Sequence, residues 1–509
     1  MEKKVRVRFA PSPTGGLHLG GVRTALYNYL FAKQHKGDFV LRIEDTDQSR
    51  FVPGAEEYIY ECLQWCGLEP DESPAQGGPY GPYRQSERKE TYRQYAEQLV
   101  RQGNAYYAFD TPEELEEMRE KFRTEENPST QYNHSIRENM RNSLTLSKEE
   151  VTRLLSESTP HVIRIKMPEN ETITFTDLIR GEVSFDSSLV DDKVLLKTDG
   201  MPTYHLAVVA DDYLMKITHA FRGEEWLPSA PVHILLWKYL GWEQDMPQWA
   251  HLPLILKPDG HGKLSKRDGE RLGFPVFAMN WRDPKTQDLI HGFRELGFLP
   301  DAFTNMLAVL GWNDGTEQEL FTIEELVEKF SLEHVHKGGA KFSYEKAKWF
   351  NHEWIKKLTV DRWQFIVRKD LEEKGVNIKD EEKFLKILEL VKDRCTLLTD
   401  FWQQAFFFFT APEILDVTSI KPKWNEDKAM FFDILAEKFT LLDDWNAANI
   451  ETLFKDTATE KGIKMGELQL PFRIMLVGAK FGPAVFDIAA LIGRRETMAR
   501  IRKGLSDIL

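Results

Sequence analysis

Residues 11–21 read PSPTGGLHLGG, and they follow the alternating stretch VRVRF at residues 5–9. Two prolines restrict φ, and four glycines allow positive φ and close approach of the backbone to a ligand. From Leu19 onward, apolar residues recur at helical spacing, which predicts a helix that ends near KQHKG (33–37) at a glycine cap. FVLRI (39–43) predicts the next strand. This order predicts an open α/β sheet whose glycine turn and helix N-terminus face an anion.

The glycine turn matches neither of two familiar phosphate-binding motifs. Its glycines are not spaced as G-x-G-x-x-G, and Val22 and Arg23 stand where a P-loop requires Lys and Ser or Thr. His18 lies inside the turn, at the mouth of the predicted sheet. Taken alone, His18 fits a structural role as well as it fits a binding role.

The composition is that of an ordinary globular protein with several domains. The chain has 509 residues, 41% of them hydrophobic and 29% charged, and no apolar run is long enough to span a bilayer. Its amino terminus, MEKKVRVRF, enters a predicted strand within five residues, so we expect no signal peptide. Three cysteines suit a reducing compartment. We therefore expect a cytoplasmic protein without a membrane partner, and a monomer.

The net charge of −14 argues against indiscriminate binding of nucleic acid, because the overall field repels phosphate. The segment 461–503 differs from the rest, with nine Lys or Arg residues against three acidic ones. A solvated helical face and a face that contacts phosphates both fit this pattern.

Changes of pattern divide the chain into four segments. An α/β sheet domain comprises 1–90 and 201–256, where MPTYHLAVVADD (201–212) reads as a buried strand and HLPLIL (251–256) as another. Residues 91–200 read as an insertion with its own α+β core. Residues 257–345 hold a basic loop, and residues 346–509 have an almost entirely helical pattern, which we divide into two subdomains.

The basic loop is contained in LKPDGHGKLSKRDG (256–269), where Lys263, Lys266 and Arg267 lie within five residues. Alone, such a loop is most often a solvated surface. Here it follows a predicted strand of the same sheet as the glycine turn, and ligands of open α/β sheets bind outside the carboxyl ends of the strands. Backbone N–H groups and mobile ammonium groups together suit a polyphosphate.

These motifs resemble those of a known family. PSPTGGLHLGG is similar to the HIGH signature, and KLSKR to the KMSKS signature, of class I aminoacyl-tRNA synthetases. The ordered set RFAPSPTGGLHLGG, RIEDTD, GPYRQSER, DGMPTYHLA and RGEEWL resembles the bacterial-type glutamyl-tRNA synthetases, as do LQLPFRIMLVG and ALIGRRE near the carboxyl terminus. Gly21 stands where the generic signature has its second histidine, which is usual in the glutamyl branch.

The resemblance implies a Rossmann-like catalytic domain with a connective insertion that binds the tRNA acceptor arm. A region that contacts the tRNA stem and a helical anticodon-binding half would follow. ATP and glutamate would form glutamyl-adenylate, and the glutamyl group would pass to the terminal adenosine of glutamate tRNA. His18, Lys263 and Lys266 would act in catalysis, with Mg²⁺ accompanying the nucleotide. The residues implied for ATP are Pro11, Ser12, Pro13, Thr14, Gly15, His18, Gly20, Gly21, Glu225, Trp226, Lys263, Ser265, Lys266 and Arg267.

The residues themselves support an acidic substrate. Arg8 lies near the carboxyl end of its strand, and Arg222 leaves another strand towards the same rim. Two guanidinium groups can each hold a carboxylate in a bidentate manner. The resemblance adds Ala10, Ser12, Glu44 and Tyr204 to this glutamate pocket, with Glu44 taking the α-ammonium group. A salt bridge from Arg222 to Glu224 or Glu225 is the competing interpretation.

We expect no zinc site. Some bacterial relatives carry a cysteine cluster in the insertion, but Asp110 follows AYYAF (105–109) here and the insertion has no cysteine. A structural zinc site needs four Cys or His ligands, and the isolated His134 does not supply them.

Other functions fit the sequence less well. Glutaminyl-tRNA synthetases end in β-barrels, whereas residues 346–509 read as helical, and a small tRNA-modifying glutamyl transferase would lack this half. A nucleotidyltransferase that makes a small cofactor would not need some 160 helical residues. A non-catalytic tRNA-binding protein would not need His18, Lys263 and Lys266 together.

Two arginines of the helical half are candidates for reading the anticodon. Arg394 stands in ILELVKDRCTLLTDF (387–401), where the resemblance places the arginine of enzymes that reject glutamine tRNA, and Arg473 lies in LPFRIML. An arginine can hydrogen-bond an unstacked base and stack on its neighbour. Pairing of Arg394 with Glu389 or Asp393 is the alternative.

Overall fold

The computed structural model describes residues 3–123, 130–265 and 267–508, apart from the side chain of Glu270. Its residues form two compact units, one of Met1–Glu295 with Pro300–Tyr344 and one of Leu296–Leu299 with Glu345–Leu509. None of the helices in these ranges combines the length and apolar character that crossing a membrane requires.

The first unit contains the described strands and the helices α1 to α11. The strands are β1 (Arg6–Phe9), β2 (Asp38–Leu41), β3 (Ala105–Ala108), β4 (Val162–Ile165), β5 (Thr172–Asp177), β6 (Gly181–Asp186), β7 (Val194–Leu196), β8 (His219–Gly223), β9 (Gln248–Leu252), β10 (Ile255–Leu256), β11 (Trp281–Arg282), β12 (Leu289–Ile290) and β13 (Ala340–Lys341). The helices are α1 (Leu19–Gln34), α2 (Ala55–Trp65), α3 (Lys89–Arg101), α4 (Pro112–Phe122), α5 (His134–Arg137), α6 (Lys148–Ser156), α7 (Tyr204–Leu214), α8 (Ala230–Tyr239), α9 (Asp268–Leu272), α10 (Pro300–Val309) and α11 (Ile323–Lys329).

A six-stranded sheet with the order β2-β1-β8-β9-β5-β6 is the centre of this unit. Its first five strands pair in parallel, and β6 runs antiparallel to β5. All four residues of β1 are buried, as expected for a strand covered on both faces. The prediction of a Rossmann-like α/β sheet is confirmed.

Helix α1 begins where the sequence predicts, but the residue that ends it is not the predicted glycine. The left-handed residue at its carboxyl end is Lys36, with φ 52°, and not Gly37. Gly37 is needed for a different reason, since a Cβ there would collide with the carbonyl oxygen of Val5. The predicted glycine cap is thus wrong, because close contact between the helix exit and β1 selects the glycine.

Most of the stretch 201–212 lies in helix α7 (Tyr204–Leu214) and is not the predicted buried strand. Helix α7 is buried on most of its surface, including Leu206, Val208 and Val209. A fully buried helix shows no amphipathic period, so a short apolar run does not distinguish it from a buried strand.

The insertion at 91–200 has an independent core only in part. Its sheet, with the order β3-β4-β7, packs Tyr106 against Met118, Tyr132 and Ile136. The β5–β6 hairpin, however, extends the main sheet beyond β9. Side chains on the other side of the insertion join the large core of α7 and α8. The four predicted segment limits stay predictions.

The predicted strand 251–256 is divided in two. Pro253 has no N–H group to continue the ladder, so β9 ends at Leu252, and β10 pairs instead with β13. The basic loop therefore follows a strand of a separate two-stranded sheet. The expectation that it follows a strand of the main sheet is wrong.

The described residues of the second unit form helices joined by turns and loops, with no strand among them, as predicted. Its helices are α12 (Tyr344–Lys357), whose first residue belongs to the first unit, α13 (Val360–Glu373), α14 (Glu381–Lys392), α15 (Asp400–Ala405), α16 (Glu426–Thr440), α17 (Ala447–Glu460), α18 (Met465–Val477), α19 (Val485–Ile492) and α20 (Arg494–Ile508). Aromatic rings in contact, including Phe432, Phe454 and Phe472, fill the core between α16, α17 and α18.

Candidate active site

A cleft of about 970 Å³ opens at the carboxyl ends of β1, β8 and β9. It collects most of the predicted substrate-binding residues from segments that are far apart in the chain. The predicted residues that line it are Arg8, Ala10, Pro11, Ser12, Pro13, Thr14, Gly15, His18, Gly20, Gly21, Glu44, Tyr204, Arg222, Glu225, Trp226, Lys263 and Ser265. Arg267 is exposed outside the cleft lining, and Lys266 lies outside the described residues.

The glycine turn is fixed by backbone hydrogen bonds and by His18. The Nδ1 atom of His18 accepts a hydrogen bond from the N–H of Gly20 at 3.2 Å, which caps the first turn of α1. Gly15 has a φ of 135°, and a Cβ on Gly16 would collide with the ring of Phe277. His18 thus has the structural role left open by the sequence, and it also lines the cleft.

Arg8 is buried with a carboxylate partner. Its Nε donates to Asp212 at 3.0 Å, and its Nη1 donates to the carbonyl oxygen of Phe221 at 3.1 Å. Asp212 also accepts from Arg42 Nη1 at 2.8 Å. Burial opposes ionisation of Asp212, but the charges of Arg8 and Arg42 outweigh it and hold the pKa of this carboxyl below its usual value.

Glu44 lies in the same pocket, but here burial has a larger effect on the pKa than the neighbouring charges. Its carboxylate accepts from Arg42 Nη2 at 3.0 Å. Burial raises the pKa of Glu44 more than the charges of Arg42 and Arg8 lower it. An ammonium group bound beside Glu44 would supply the positive charge that this carboxylate lacks.

Arg222 has neutral partners. Its Nε donates to His251 Nε2 at 2.9 Å, while its Nη1 contacts His233 Nδ1 at 3.0 Å and donates to the Tyr204 hydroxyl at 3.2 Å. Glu224 pairs instead with Arg180, and Glu225 pairs with Lys263. The competing interpretation of Arg222, a salt bridge to Glu224 or Glu225, is therefore not observed.

Sequence reasoning missed the residues that support both arginines. These are Asp212, with Arg42 behind it, for Arg8, and His233 and His251 for Arg222. Two adjacent acids at the end of the apolar run HLAVVADD were the available signal, because a buried charge needs a partner. The two histidines gave no comparable signal.

The basic loop is anchored at both ends. Lys263 forms an ion pair with Glu225, and Leu256 forms an isolated bridge with Lys263. Asp268 accepts from the hydroxyl of Ser265 at 2.6 Å and from its N–H at 2.8 Å. These hydrogen bonds, with a further one from Arg271, lower the pKa of Asp268.

Comparison with models of known protein families assigns both halves of the chain. Residues 4–349 match the model of the catalytic domain of class I tRNA synthetases (E and Q), and residues 344–505 match the model of an anticodon-binding domain. The chain belongs to the class I tRNA synthetases.

Similar proteins cover the whole synthetase. A glutamate–tRNA ligase of Amoebophilus asiaticus is 53% identical over 100% of this chain and 99% of its own, and one of Phocaeicola vulgatus is 51% identical over 99% of both. A crystal structure of a glutamate tRNA ligase from Elizabethkingia meningosepticum in complex with its amino acid superposes with a TM-score of 0.95. It has 50% identity and full coverage of both chains.

In the second unit of the synthetase, Arg394 and Arg473 repel each other. Arg394 is exposed just beyond α14, and its side chain makes no ion pair within the described part of the chain, so neither Glu389 nor Asp393 holds it. Arg473 is half-buried and donates through Nη1 to the Pro483 carbonyl oxygen at 2.6 Å. Burial and the charge of Arg394 lower the pKa of Arg473. Two interacting cations with no carboxylate paired to either among the described residues suit an anionic partner.

Part of the basic segment 461–503 serves the fold of the unit. Arg500 is buried and donates to the carbonyl oxygens of Phe407 and Leu476, at 2.8 and 2.6 Å. Arg494 and Lys503 also donate to main-chain carbonyl groups. The basic surface is therefore smaller than the sequence count indicates.

Asp110 and His134 take no part in a metal cluster. Asp110 accepts from the Tyr132 hydroxyl at 2.9 Å and from the Arg141 N–H at 2.7 Å. Across residues 3–123, 130–265 and 267–508, no three His, Cys, Asp or Glu side chains are grouped so as to hold a metal ion.

Proposed function

We propose that this synthetase is a glutamate–tRNA ligase that works in the cytoplasm as a monomer. The observation that carries the proposal is the convergence of Arg8 and Arg222 with Glu44 in one cleft. The arginines suit the carboxylate of an acidic side chain, and Glu44 suits an α-ammonium group. Relatives that are about half identical over their full length, and named glutamate–tRNA ligase, support the same function.

The reaction has two steps and needs no nucleophile from the enzyme. The α-carboxylate oxygen of glutamate attacks the α-phosphorus of ATP, the bond to the β-phosphate oxygen breaks, and pyrophosphate leaves. A ribose hydroxyl of the terminal adenosine of tRNA then attacks the acyl carbon, and AMP leaves. The protein aligns the reactants and stabilises the charge that develops on the phosphates.

The glycine turn and the basic loop would hold ATP. Residues at the start of α1 line the cleft with His18, and so do Lys263 and Ser265. The ring centroids of Trp226 and Tyr204 lie 4.5 Å apart, and Trp226 offers an aromatic face to the adenine. Lys266 would stabilise the leaving pyrophosphate, with Arg267 beside it. Mg²⁺ would enter with the triphosphate as part of the substrate.

The second unit would bind the anticodon of glutamate tRNA. Arg394 would read the third anticodon base and reject glutamine tRNA, and Arg473 would hold the same loop. The anticodon-domain match at 344–505 supports binding of the anticodon in general. The exposed side chain of Arg394, which has no ion-pair partner among the described residues, supports its specific role.

The test of the function is amino-acid-dependent exchange of pyrophosphate into ATP. Each of the twenty amino acids is assayed with and without glutamate tRNA. We expect exchange with glutamate and little with glutamine or aspartate. Exchange with a different amino acid, or none with glutamate in the presence of tRNA, would contradict the proposal.

A further inference from the structure

Three adjacent strands of the main sheet place three polar side chains in a row. Arg222 of β8 is the register partner of His251 of β9, and Asp177 ends β5, the next strand. The Oδ2 atom of Asp177 lies 2.6 Å from His251 Nδ1, and His251 Nε2 accepts from Arg222 Nε at 2.9 Å. The row leads from the insertion, through the sheet, to the substrate cleft.

The chemistry of the row fixes the proton on His251. Burial opposes ionisation of Asp177, but hydrogen bonds from His251 and from the N–H groups of Arg180 and Ile179 outweigh it, so the pKa of this carboxyl is lowered. An ionised Asp177 accepts a hydrogen bond from the Nδ1–H group of His251. The Nε2 atom of His251 then keeps its lone pair and accepts from Arg222. Burial, together with the charge of Arg222, lowers the pKa of His251 despite Asp177, so the imidazole stays neutral.

A second neutral histidine accepts from the same guanidinium. His233 Nδ1 lies 3.0 Å from Arg222 Nη1, so its Nε2 carries the proton and donates to His205 Nδ1 at 3.2 Å. Burial, reinforced by the charge of Arg222, holds the pKa of His233 well below its usual value, and burial lowers that of His205 to about 3. Arg222 is therefore held by two imidazoles that carry no charge.

These contacts leave one nitrogen of the Arg222 guanidinium, Nη2, for a ligand. Arg222 Nη2 is buried and has no hydrogen-bond partner among the described residues, and Arg222 lines the cleft. Acidic acceptors would hold the side chain equally well but would cancel its charge. Neutral acceptors satisfy the geometry and keep the positive charge available to a substrate carboxylate.

We propose that Asp177 and His251 are positioning residues for the amino-acid substrate: Asp177 fixes the tautomer of His251, and His251 then holds Arg222 without neutralising it. Selection of a carboxylate over a carboxamide side chain depends on this uncancelled charge. The inference rests on the proposed binding of glutamate by Arg222. It adds a specificity role for a residue of the insertion that does not line the cleft.

Two variants separate charge from structure. The acidic double variant combines Asp177→Asn with His251→Glu, which moves the carboxylate from position 177 into contact with Arg222 at constant net charge. The neutral variant, His251→Gln with Asp177 retained, has the same net charge. It keeps a neutral acceptor, because the new amide oxygen at position 251 can accept from Arg222 while the NH₂ group donates to the carboxylate of Asp177. The two variants have closely similar shapes, so a purely structural role affects both alike or favours the new ion pair.

The readout is pyrophosphate exchange with tRNA present, measured at varied glutamate, glutamine and ATP. For the acidic double variant we expect the KM for glutamate to rise at least tenfold and the preference for glutamate over glutamine to fall by a similar factor. The KM for ATP and the kcat at saturating glutamate should stay within about threefold. For the neutral variant His251→Gln, all four quantities should stay within about threefold of the wild type.

A single variant and a control complete the design. In Asp177→Asn alone, the amide oxygen keeps the Oδ1 contacts to the 178–180 turn, so the NH₂ group faces His251 Nδ1. His251 then accepts at Nδ1 and carries its proton on Nε2, where it opposes the Nε–H group of Arg222. The KM for glutamate should therefore rise. His219→Gln, on the same strand as Arg222 but at its other end, should change none of these constants more than about threefold.

The outcomes distinguish this inference from the function it rests on. Equal glutamate KM values in the acidic double variant and in His251→Gln, or an unchanged KM in Asp177→Asn, would overturn the positioning role while wild-type exchange with glutamate continued. A wild type that does not exchange with glutamate would overturn both. If the acidic double variant or His251→Gln fails to fold, as judged by its Tm, Asp177→Asn decides.

Discussion

Glu44 is a residue of the binding site whose ionised form is destabilised by its own burial. Its carboxylate is buried near two arginines, yet its pKa is raised, because the cost of burial exceeds what the charges of Arg42 and Arg8 restore and the nearby charge of Asp212 adds to that cost. A carboxyl with a raised pKa binds its proton more tightly when the protein is folded. Its ionised form therefore costs stability at pH 7, and a bound ammonium group would remove that cost.

We predict that Glu44→Gln weakens substrate binding and stabilises the empty protein. Loss of a charge-assisted hydrogen bond of about 1.5–3 kcal/mol should raise the KM for glutamate roughly ten- to 150-fold, with little change in the KM for ATP. The Tm at pH 7 should exceed that of the wild type. The difference in Tm should shrink as the pH falls, because protonation then neutralises Glu44 in the wild type as well.

Pyrophosphate exchange at varied glutamate and thermal unfolding between pH 5 and pH 8 measure both effects. Glu87→Gln, at an exposed carboxylate paired with Arg84 on the surface, is the control and should change neither. An unchanged glutamate KM in Glu44→Gln would remove Glu44 from the pocket. A lower Tm at pH 7 would show that its ion pair with Arg42 outweighs its burial.

At the scale of elements, the first βαβ unit was predictable and the later ones were less so. The glycine turn, α1 and β2 follow one another along one short stretch of chain, and each has a local signal in the sequence. Helix α7 is buried on nearly all sides and lost the period that identifies a helix. Strand β10 does not belong to the main sheet, because Pro253 interrupts the ladder after β9. Strand pairing of this kind is set by non-local contacts that no single segment contains.

The same distinction applies to the site. Arg8, His18 and Arg222 stand at strand ends or in a glycine turn, so their direction could be argued from the local pattern. The acceptors of Arg222 and their supports come from β5, α7, α8 and β9, and partners in contact are between 11 and 74 residues apart in the chain. Their chemistry depends on burial and on register between strands, which the sequence alone does not supply.

The loop after β10 carries a prediction about chemistry. Lys263 is held by Glu225, so the loop has one anchored lysine, and Lys266 was assigned from the sequence to the charge that builds on the departing pyrophosphate. Lys266→Ala should slow adenylate formation about 100-fold or more and change the affinity for glutamate less than about threefold.

Single-turnover formation of adenylate, with tRNA present, measures the rate for Lys266→Ala. Lys285→Ala, in the exposed turn between β11 and β12, is the matched control and should keep the wild-type rate. A near-normal rate in Lys266→Ala would exclude this lysine from the mechanism. A large loss of glutamate affinity would assign it to the amino-acid pocket instead.

At the scale of the whole molecule, one tRNA has to satisfy two units with different tasks. The 3′ end reacts in the first unit, and the anticodon is recognised by the second. The second unit carries Arg394, an exposed cation that no carboxylate holds within the described residues and that raises the cost of burying the charge of Arg473. This unpaired charge is retained at a cost in stability, which favours a role in binding over a role in folding.

We predict that the protein charges glutamate tRNA and largely rejects glutamine tRNA, and that Arg394→Gln relaxes this choice. One well-placed arginine contact to a base discriminates by about 1–3 kcal/mol, so the ratio of kcat/KM for the two tRNAs should fall roughly five- to 150-fold. Transcripts of both tRNAs are charged with labelled glutamate, and Arg495→Gln, at an exposed arginine of α20, controls for a general loss of positive charge. Because Arg394 belongs to the second unit, pyrophosphate exchange at saturating glutamate tRNA should not change. Equal charging of both tRNAs by the wild type would contradict discrimination, and an unaltered ratio in Arg394→Gln would assign the choice of tRNA to other residues.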